Sequence, residues 1–253
     1  MFYKNILDKD GLLLLKNFFT EEESNKIIEF ADELENYKEE KGKWMIYFEN
    51  GKKKSRIENF LNYNSELKNF IQNKIHINIE NIIESKLNLF KEKLNGKYGG
   101  GDGFKSHQDH PAFNDFPCKI FYTVALFANN STEENGCLEF SKGNYKYNIL
   151  DYESNNSGKI SQEIENKLKW EKIETTPRDL VIFDSFVPHR SDKNYTKNSR
   201  RIFYFTYNLK EEGDFHNCYI IKKRMEFPPD IEREKGKNYN SLGNKYNLAN
   251  PLK

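Results

Sequence analysis

The sequence predicts a mainly β fold with a helical layer, an antiparallel sandwich or barrel backed by N-terminal helices. Three observations carry this. Apolar residues recur at helical spacing in the first third, the period drops to two from Leu87, and short β-like runs separated by turn residues follow as far as Asn208.

Gly11-Leu12-Leu13-Leu14-Leu15-Lys16 reads as a short buried strand. Thr20 and Glu23 form a capping box, and Ile27, Phe30, Ala31 and Leu34 make one apolar stripe, predicting a helix. Residues 41–56 read as a polar, basic loop or hairpin; Arg56 to Phe60 has no clear period. A second helix is predicted from Ser65 to about Lys86, carrying Leu67, Phe70, Ile71, Ile75, Ile79, Ile82 and Ile83 on one side, with His76 beside the stripe as a packing or surface residue. From Leu87, Phe90, Glu92 and Leu94 alternate with Lys91, Lys93 and Asn95. Gly99 to Gly103 is a flexible turn; no Gly-Lys-Ser/Thr follows, which excludes a phosphate loop. Lys119 to Ala128, Gly136 to Phe140, Leu180 to Phe183 and Arg200 to Asn208 read as strands, and Tyr219 to Ile221 as a last one. Residues 151–172 read as an insertion between strands. The 253 residues are expected to form a single domain, with a helical part at about 1–86, a β-roll core at about 87–222 and an irregular tail at 223–253.

Composition narrows the function. The 20 Phe and 15 Tyr can fill a sizeable core, and a net charge of +1 with interspersed signs argues against a nucleic-acid or membrane-surface binder. The longest basic run, Lys52-Lys53-Lys54, reads as a solvated loop. Three cysteines, Cys118, Cys137 and Cys218, suggest neither a disulfide framework nor a zinc knuckle. With no signal-peptide pattern at the start, a cytoplasmic, reduced location is expected.

The stretch that carries chemistry is Phe104-Lys105-Ser106-His107-Gln108-Asp109-His110. On an extended strand His107 and Asp109 share a face and can grip one metal ion. A ferrous facial triad needs one more imidazole and keeps open positions. His189, at the end of an apolar run, is the natural donor. Arg200-Arg201 then opens another strand and offers a cation to a dicarboxylic co-substrate. A lone His-x-Asp is a weak motif; the His189 and Arg200 half gives it weight.

His107-x-Asp109, Asn135-Gly136-Cys137-Leu138-Glu139-Phe140, Asp179 to Asp184, His189-x-Ser191, Asn194 and Arg200 together resemble the phytanoyl-CoA dioxygenase family. The similarity covers roughly residues 10–225. It implies a double-stranded β-helix, or jelly roll, and a dioxygenase that uses iron(II), 2-oxoglutarate and O2. Such an enzyme hydroxylates an unactivated C–H of a small polar metabolite and releases succinate and CO2. By the same resemblance His107, Asp109 and His189 are the iron ligands. Arg200, eleven positions after His189, and Ser191 bind the far carboxylate of 2-oxoglutarate. Asn95 and Phe104 line that co-substrate. Arg201 competes with Arg200, but neighbours on a strand face opposite ways, so only one points inward. A carboxylate at position 109 implies hydroxylation rather than halogenation. Leu89 to Asn95, Arg224 and Phe227-Pro228-Pro229-Asp230 further resemble a bacterial branch of small-molecule hydroxylases, near those acting on 2-aminoethylphosphonate.

For the substrate, Lys93 shares a strand face with Asn95 and would meet an anionic group, with Phe113 and Tyr204 as wall residues. Three other readings compete: a non-redox cupin-like metal enzyme, which has no need of Arg200; an inactive binding β-roll, which takes up neither iron nor 2-oxoglutarate; and the same enzyme acting on a protein side chain or a nucleic acid, the latter disfavoured by the balanced charge.

Overall fold

The computed structural model describes residues 1–49, 53–153, 158–239 and 246. Lys52 of the basic run, residues 154–157 of the 151–172 insertion and residues 240–245 and 247–253 of the tail lie outside them. The chain opens with α1 (Phe2–Asp10), β1 (Leu12–Leu15), α2 (Glu21–Glu35) and the hairpin β2 (Met45–Glu49) and β3 (Lys53–Glu58). Next come α3 (Ser65–Phe70), a π-helical turn (Ile71–His76) and α4 (Ile77–Ile83). The strands β4 (Leu87–Lys97), β5 (Phe104–His107), β6 (Phe121–Phe127) and β7 (Leu138–Phe140) follow. After the short α5 (Gln162–Glu165) come β8 (Glu171–Ile173), β9 (Leu180–Asp184), β10 (His189–Ser191), β11 (Arg200–Leu209) and finally α6 (His216–Glu226).

Two antiparallel sheets face each other in a jelly roll. The large sheet has the order β1-β9-β6-β11-β4-β3-β2 and the small one β5-β10-β7-β8. Side chains alternate across each strand, so every central strand of the large sheet has two buried faces. One face supplies Ala125, Phe127, Val181, Phe183, Ile202 and Tyr204, which pack on Leu138, Phe140 and Ile173 of the small sheet. The other supplies Val124, Leu126, Ile182, Phe203 and Phe205, covered by Ile27, Phe30 and Leu34 of α2 and by Ile75, Ile79 and Ile83 of the next helical stretch. Each large apolar side chain buried this way contributes about 1.5–3 kcal/mol. The helical layer is therefore a second hydrophobic core on the outer face of the sheet.

Local chemistry sets the ends of these elements. Thr20 Oγ1 accepts from Glu23 N at 3.2 Å, and Glu23 Oε2 accepts from Thr20 N at 2.9 Å, closing the capping box at the start of α2. Replacing Thr20 by Ala is expected to destabilise the fold by about 1 kcal/mol and to lower Tm by about 2–4 °C. A thermal melt checks this, and activity at 25 °C should not change. Glu84, with φ 57°, ends α4 in the left-handed region, so the predicted second helix stops short of Lys86.

Three findings depart from the sequence expectation. The part at about 1–86, taken as a helical layer, is not separate from the sheet: the strand read at Gly11 to Lys16 and the hairpin option for 41–56, found as β1, β2 and β3, join the large sheet. Tyr219 to Ile221 is helical, not a strand, because it lies within α6, whose buried side is Tyr219 and Lys223. The i, i+4 spacing of that pair is helical, but the pattern is concealed because the lysine reads as a surface residue. Finally, β5 ends at His107. Asp109 lies beyond it with φ −75° and ψ −30°, at the start of a 3-10 turn, so the pair does not share one extended strand.

Candidate active site

His107 and His189 come from adjacent antiparallel strands of the small sheet, where they are register partners. Their ring centroids lie 4.2 Å apart. Asp109 turns back toward both: its Oδ1 is 3.8 Å from His107 Nε2 and 3.9 Å from His189 Nε2. The ligand atoms of the three residues all fall within 4.8 Å of one another.

Protonation states follow from the partners. His107 Nδ1 lies 2.7 Å from Lys105 O, and His189 Nδ1 lies 3.1 Å from Val187 O. A carbonyl only accepts, so each Nδ1 carries the hydrogen and each Nε2 turns a lone pair toward the centre. Burial and the neighbouring His189 push His107 down to about 3, and burial lowers His189 as well, so both rings are neutral. Burial alone would raise Asp109, but His189, Lys93 and Lys91 more than offset it and hold the carboxyl well below the usual range. Two lone pairs and a carboxylate thus converge with no proton between them. Only a cation relieves that arrangement. Two imidazoles and one carboxylate on a single side suit iron(II) and leave the opposite side open.

Behind the triad the wall has the polarity of a dicarboxylate. Asn95 and Ser191 line the cavity, Asn95 Oδ1 is buried without a hydrogen-bond partner among the described residues, and Phe104 forms part of the same wall. Arg200 is only 3% exposed and points inward; its Nη1 donates to Gly136 O at 2.6 Å, while its Nε is buried and unpartnered. Arg201 points the other way, to Asn129 and to Asp32 and Glu35 of α2. The alternation expected of neighbouring strand residues therefore separates the two arginines.

Sequence reasoning missed Lys97, the register partner of Arg200. Its Nζ donates to Ser191 Oγ at 2.8 Å and to the carbonyls of Gly136 and Asp192. Burial and Arg200 push it down to about 6. Lys97 and Arg200 therefore stand side by side as two buried basic groups behind Ser191. Gly136 makes this packing feasible: at φ +72° a Cβ there would sit 2.2 Å from Asp192 O and 2.9 Å from Lys97 Nζ.

On the other side of the triad the cavity is basic. Lys93, Phe113 and Tyr204 line it, as the sequence predicts. It is also lined by Arg56, Glu58, Lys91 and Lys223, which sequence reasoning did not assign. Arg56 and Glu58 on β3 stand opposite Asn95 and Lys93 on β4, so one sheet face carries them all. Period two through Lys91, Lys93, Asn95 and Lys97 was the available signal. Glu58 Oε1 pairs with Lys223 Nζ at 2.5 Å and lies 3.7 Å from Arg56 Nε. Arg190, also at the cavity, pairs with Glu139 and Glu165. Lys91 and Lys93 have no carboxylate ion pair among the described residues. They rest on rings: Lys91 Nζ is 4.2 Å from the Phe113 centroid and Lys93 Nζ 4.9 Å from that of Tyr204.

A jelly roll whose small sheet brings two neutral imidazoles and an ionised carboxylate together, before a basic wall, defines a non-haem iron(II)- and 2-oxoglutarate-dependent dioxygenase. The comparisons agree. The model of the family described as phytanoyl-CoA dioxygenase matches residues 7–202, and the chain belongs to that family. It is 39% identical over 250 residues to the 2-aminoethylphosphonate dioxygenase of uncultured bacterium HF130_AEPn_1, covering 96% of this chain and 95% of that one. It is 33% identical to the methylphosphonate hydroxylase of Gimesia maris, covering 87% and 85% of the two chains. Among solved structures, EctD from S. alaskensis with 2-oxoglutarate and 5-hydroxyectoine superimposes with a TM-score of 0.71 at 16% identity, over 83% of this chain and 76% of that one. The epimerase SnoN from nogalamycin biosynthesis gives 0.68 at 16% identity, over 82% of each chain. These two confirm the jelly-roll fold. Among the described residues no helix is long and apolar enough to cross a membrane.

Proposed function

We propose that this dioxygenase hydroxylates a short alkylphosphonate at the carbon bonded to phosphorus. The observation that carries the reading is the pair Lys91 and Lys93, half-buried in the cavity beside the triad with no carboxylate ion pair among the described residues. Drawing an ammonium out of water without a direct ion pair is expensive, and desolvation lowers both lysines, Lys91 well below its ordinary value, although Asp109 attracts them at longer range. A phosphonate dianion matches two such groups and restores their charge. The names of the two curated relatives point to the same class, and methylphosphonate has only the carbon bonded to phosphorus to offer.

In this reading His107, Asp109 and His189 hold iron(II). Asn95, Ser191, Phe104 and Arg200, with Lys97 behind them, hold 2-oxoglutarate. Bound there, the pair supplies the oxidant: 2-oxoglutarate, O2 and the C–H bond become succinate, CO2 and the alcohol. The protein's own part is placement and exclusion of water. Lys91 and Lys93 fix the anionic end by charge, and the Tyr204 and Phe113 rings keep those ammonium groups aimed and the wall dry.

Anaerobic reconstitution with iron(II) and 2-oxoglutarate, then exposure to O2 with a substrate panel, tests the proposal. Phosphonates are expected to drive succinate release matched by a hydroxyphosphonate detected by phosphorus NMR. Carboxylate analogues of equal length should react at least about 10-fold more slowly, since they lose one charge against two lysines. If no phosphonate raises succinate release above the substrate-free rate, the reading fails.

A further inference from the structure

We propose that Glu58 determines which phosphonate is accepted, by receiving the ammonium end of a zwitterionic aminoalkylphosphonate whose phosphonate rests on Lys91 and Lys93. This inference rests on the phosphonate reading above.

Glu58 is 2% exposed and belongs to the wall of the active-site cavity. Only one of its oxygens is engaged by the protein. Oε1 takes Lys223, with Arg56 alongside, whereas Oε2 is buried with no hydrogen-bond partner among the described residues. Buried carboxylate oxygens are almost always satisfied, and leaving one bare costs about 1–3 kcal/mol. Burial would raise this carboxyl, but Lys223 and Arg56 outweigh burial and lower it, so it is an ionised group that can only accept. An ammonium arriving in the cavity can supply the donor that Oε2 lacks.

The spacing selects the donor. Glu58 is the register partner of Lys93 across the β3–β4 pair. Side chains so paired start about 5 Å apart at Cβ. A phosphonate and an ammonium joined by two carbons are separated by a similar distance. A ligand lying across the strand pair can place its anion on Lys91 and Lys93 and its cation on Glu58 Oε2. An alkylphosphonate without the amine satisfies the lysines and leaves Oε2 bare. Sites built around a buried polar contact reject analogues that lack it far more strongly than apolar pockets reject an extra methylene.

The test is the ratio of kcat/KM for 2-aminoethylphosphonate to that for n-propylphosphonate, its near-isostere without charge, in the wild type and in Glu58→Gln. Anaerobic calorimetry of both ligands on the iron- and 2-oxoglutarate-loaded protein accompanies it. A ratio compares two ligands on one preparation, so a partly unfolded sample does not distort it. The wild type is expected to favour the aminophosphonate by about 100-fold. Glu58→Gln should reduce that preference at least about 10-fold, with most of the loss in the aminophosphonate's Kd. Should the glutamine variant fail to fold, Glu58→Asp retains the charge facing Lys223 and Arg56 but withdraws the free oxygen, and the same fall is expected. An equal ratio in wild type and variant would overturn the inference and leave Glu58 as a counter-ion for Lys223 and Arg56. In that outcome phosphonates still bind, whereas failure of the phosphonate reading shows as no binding of either ligand to the wild type.

Discussion

Asp109→Ala is expected to lower kcat/KM by at least about 10³-fold while lowering Tm by only a few degrees. The two effects separate because of what Asp109 touches. Its nearest polar neighbours are the two Nε2 atoms at 3.8 and 3.9 Å, beyond hydrogen-bond range and presenting lone pairs. Removing the carboxylate therefore takes away no hydrogen bond found among the described residues, only its longer-range attraction to Lys93 and Lys91. The same change strips the iron of its one anionic ligand. Loss of a group that merely orients a ligand typically costs 10–100-fold in metal affinity or activity, and loss of the ligand itself costs more. Succinate release and a thermal melt on one preparation read both halves. A variant that retains a tenth of wild-type turnover would remove Asp109 from the metal site.

Arg200→Ala is the second large effect, and it falls on the co-substrate. Arg200 is buried, points between the sheets and has no carboxylate ion pair among the described residues. Deleting one member of a buried, hydrogen-bonded charge pair costs about 2–5 kcal/mol, which corresponds to a rise of about 30- to several-thousand-fold in KM for 2-oxoglutarate. Arg201→Ala is the control. Its guanidinium is turned to Asp32, Glu35 and Asn129 on the helical side, so it should weaken the fold slightly and leave KM for 2-oxoglutarate unchanged. Succinate formation measured against 2-oxoglutarate concentration distinguishes them. A large KM effect in the Arg201 variant and none in the Arg200 variant would reverse the assignment.

How far the sequence could be read depended on whether local pattern or tertiary pairing decides a residue's place. The capping box at Thr20 and Glu23 and the alternation through β4 are local, and both were legible. Convergence of His107, Asp109 and His189 was legible through residue chemistry, although the strand geometry first invoked for the His-x-Asp pair is not the one found: Asp109 reaches the centre from a turn. The basic wall was largely hidden. Arg56, Glu58, Lys91 and Lys223 look like surface residues in a sequence, and only the β3–β4 register and the packing of α6 against β4 place them together in one cavity. The same bias made Tyr219 to Ile221 read as a strand, because the buried Lys223 counted as polar and concealed the helical stripe. Buried charge is where pattern reading fails, and in this protein it is also where the proposed substrate site lies.

The central claim is that one iron(II) is held jointly by His107, Asp109 and His189 with 2-oxoglutarate beside it. Anaerobic titration of iron(II) into the protein with 2-oxoglutarate, followed by the visible absorption band of an iron(II)–2-oxo acid chelate, tests it without any substrate. The account predicts a band that saturates at one iron per chain in the wild type and is lost in His189→Ala. A band of undiminished intensity and affinity in His189→Ala would contradict it.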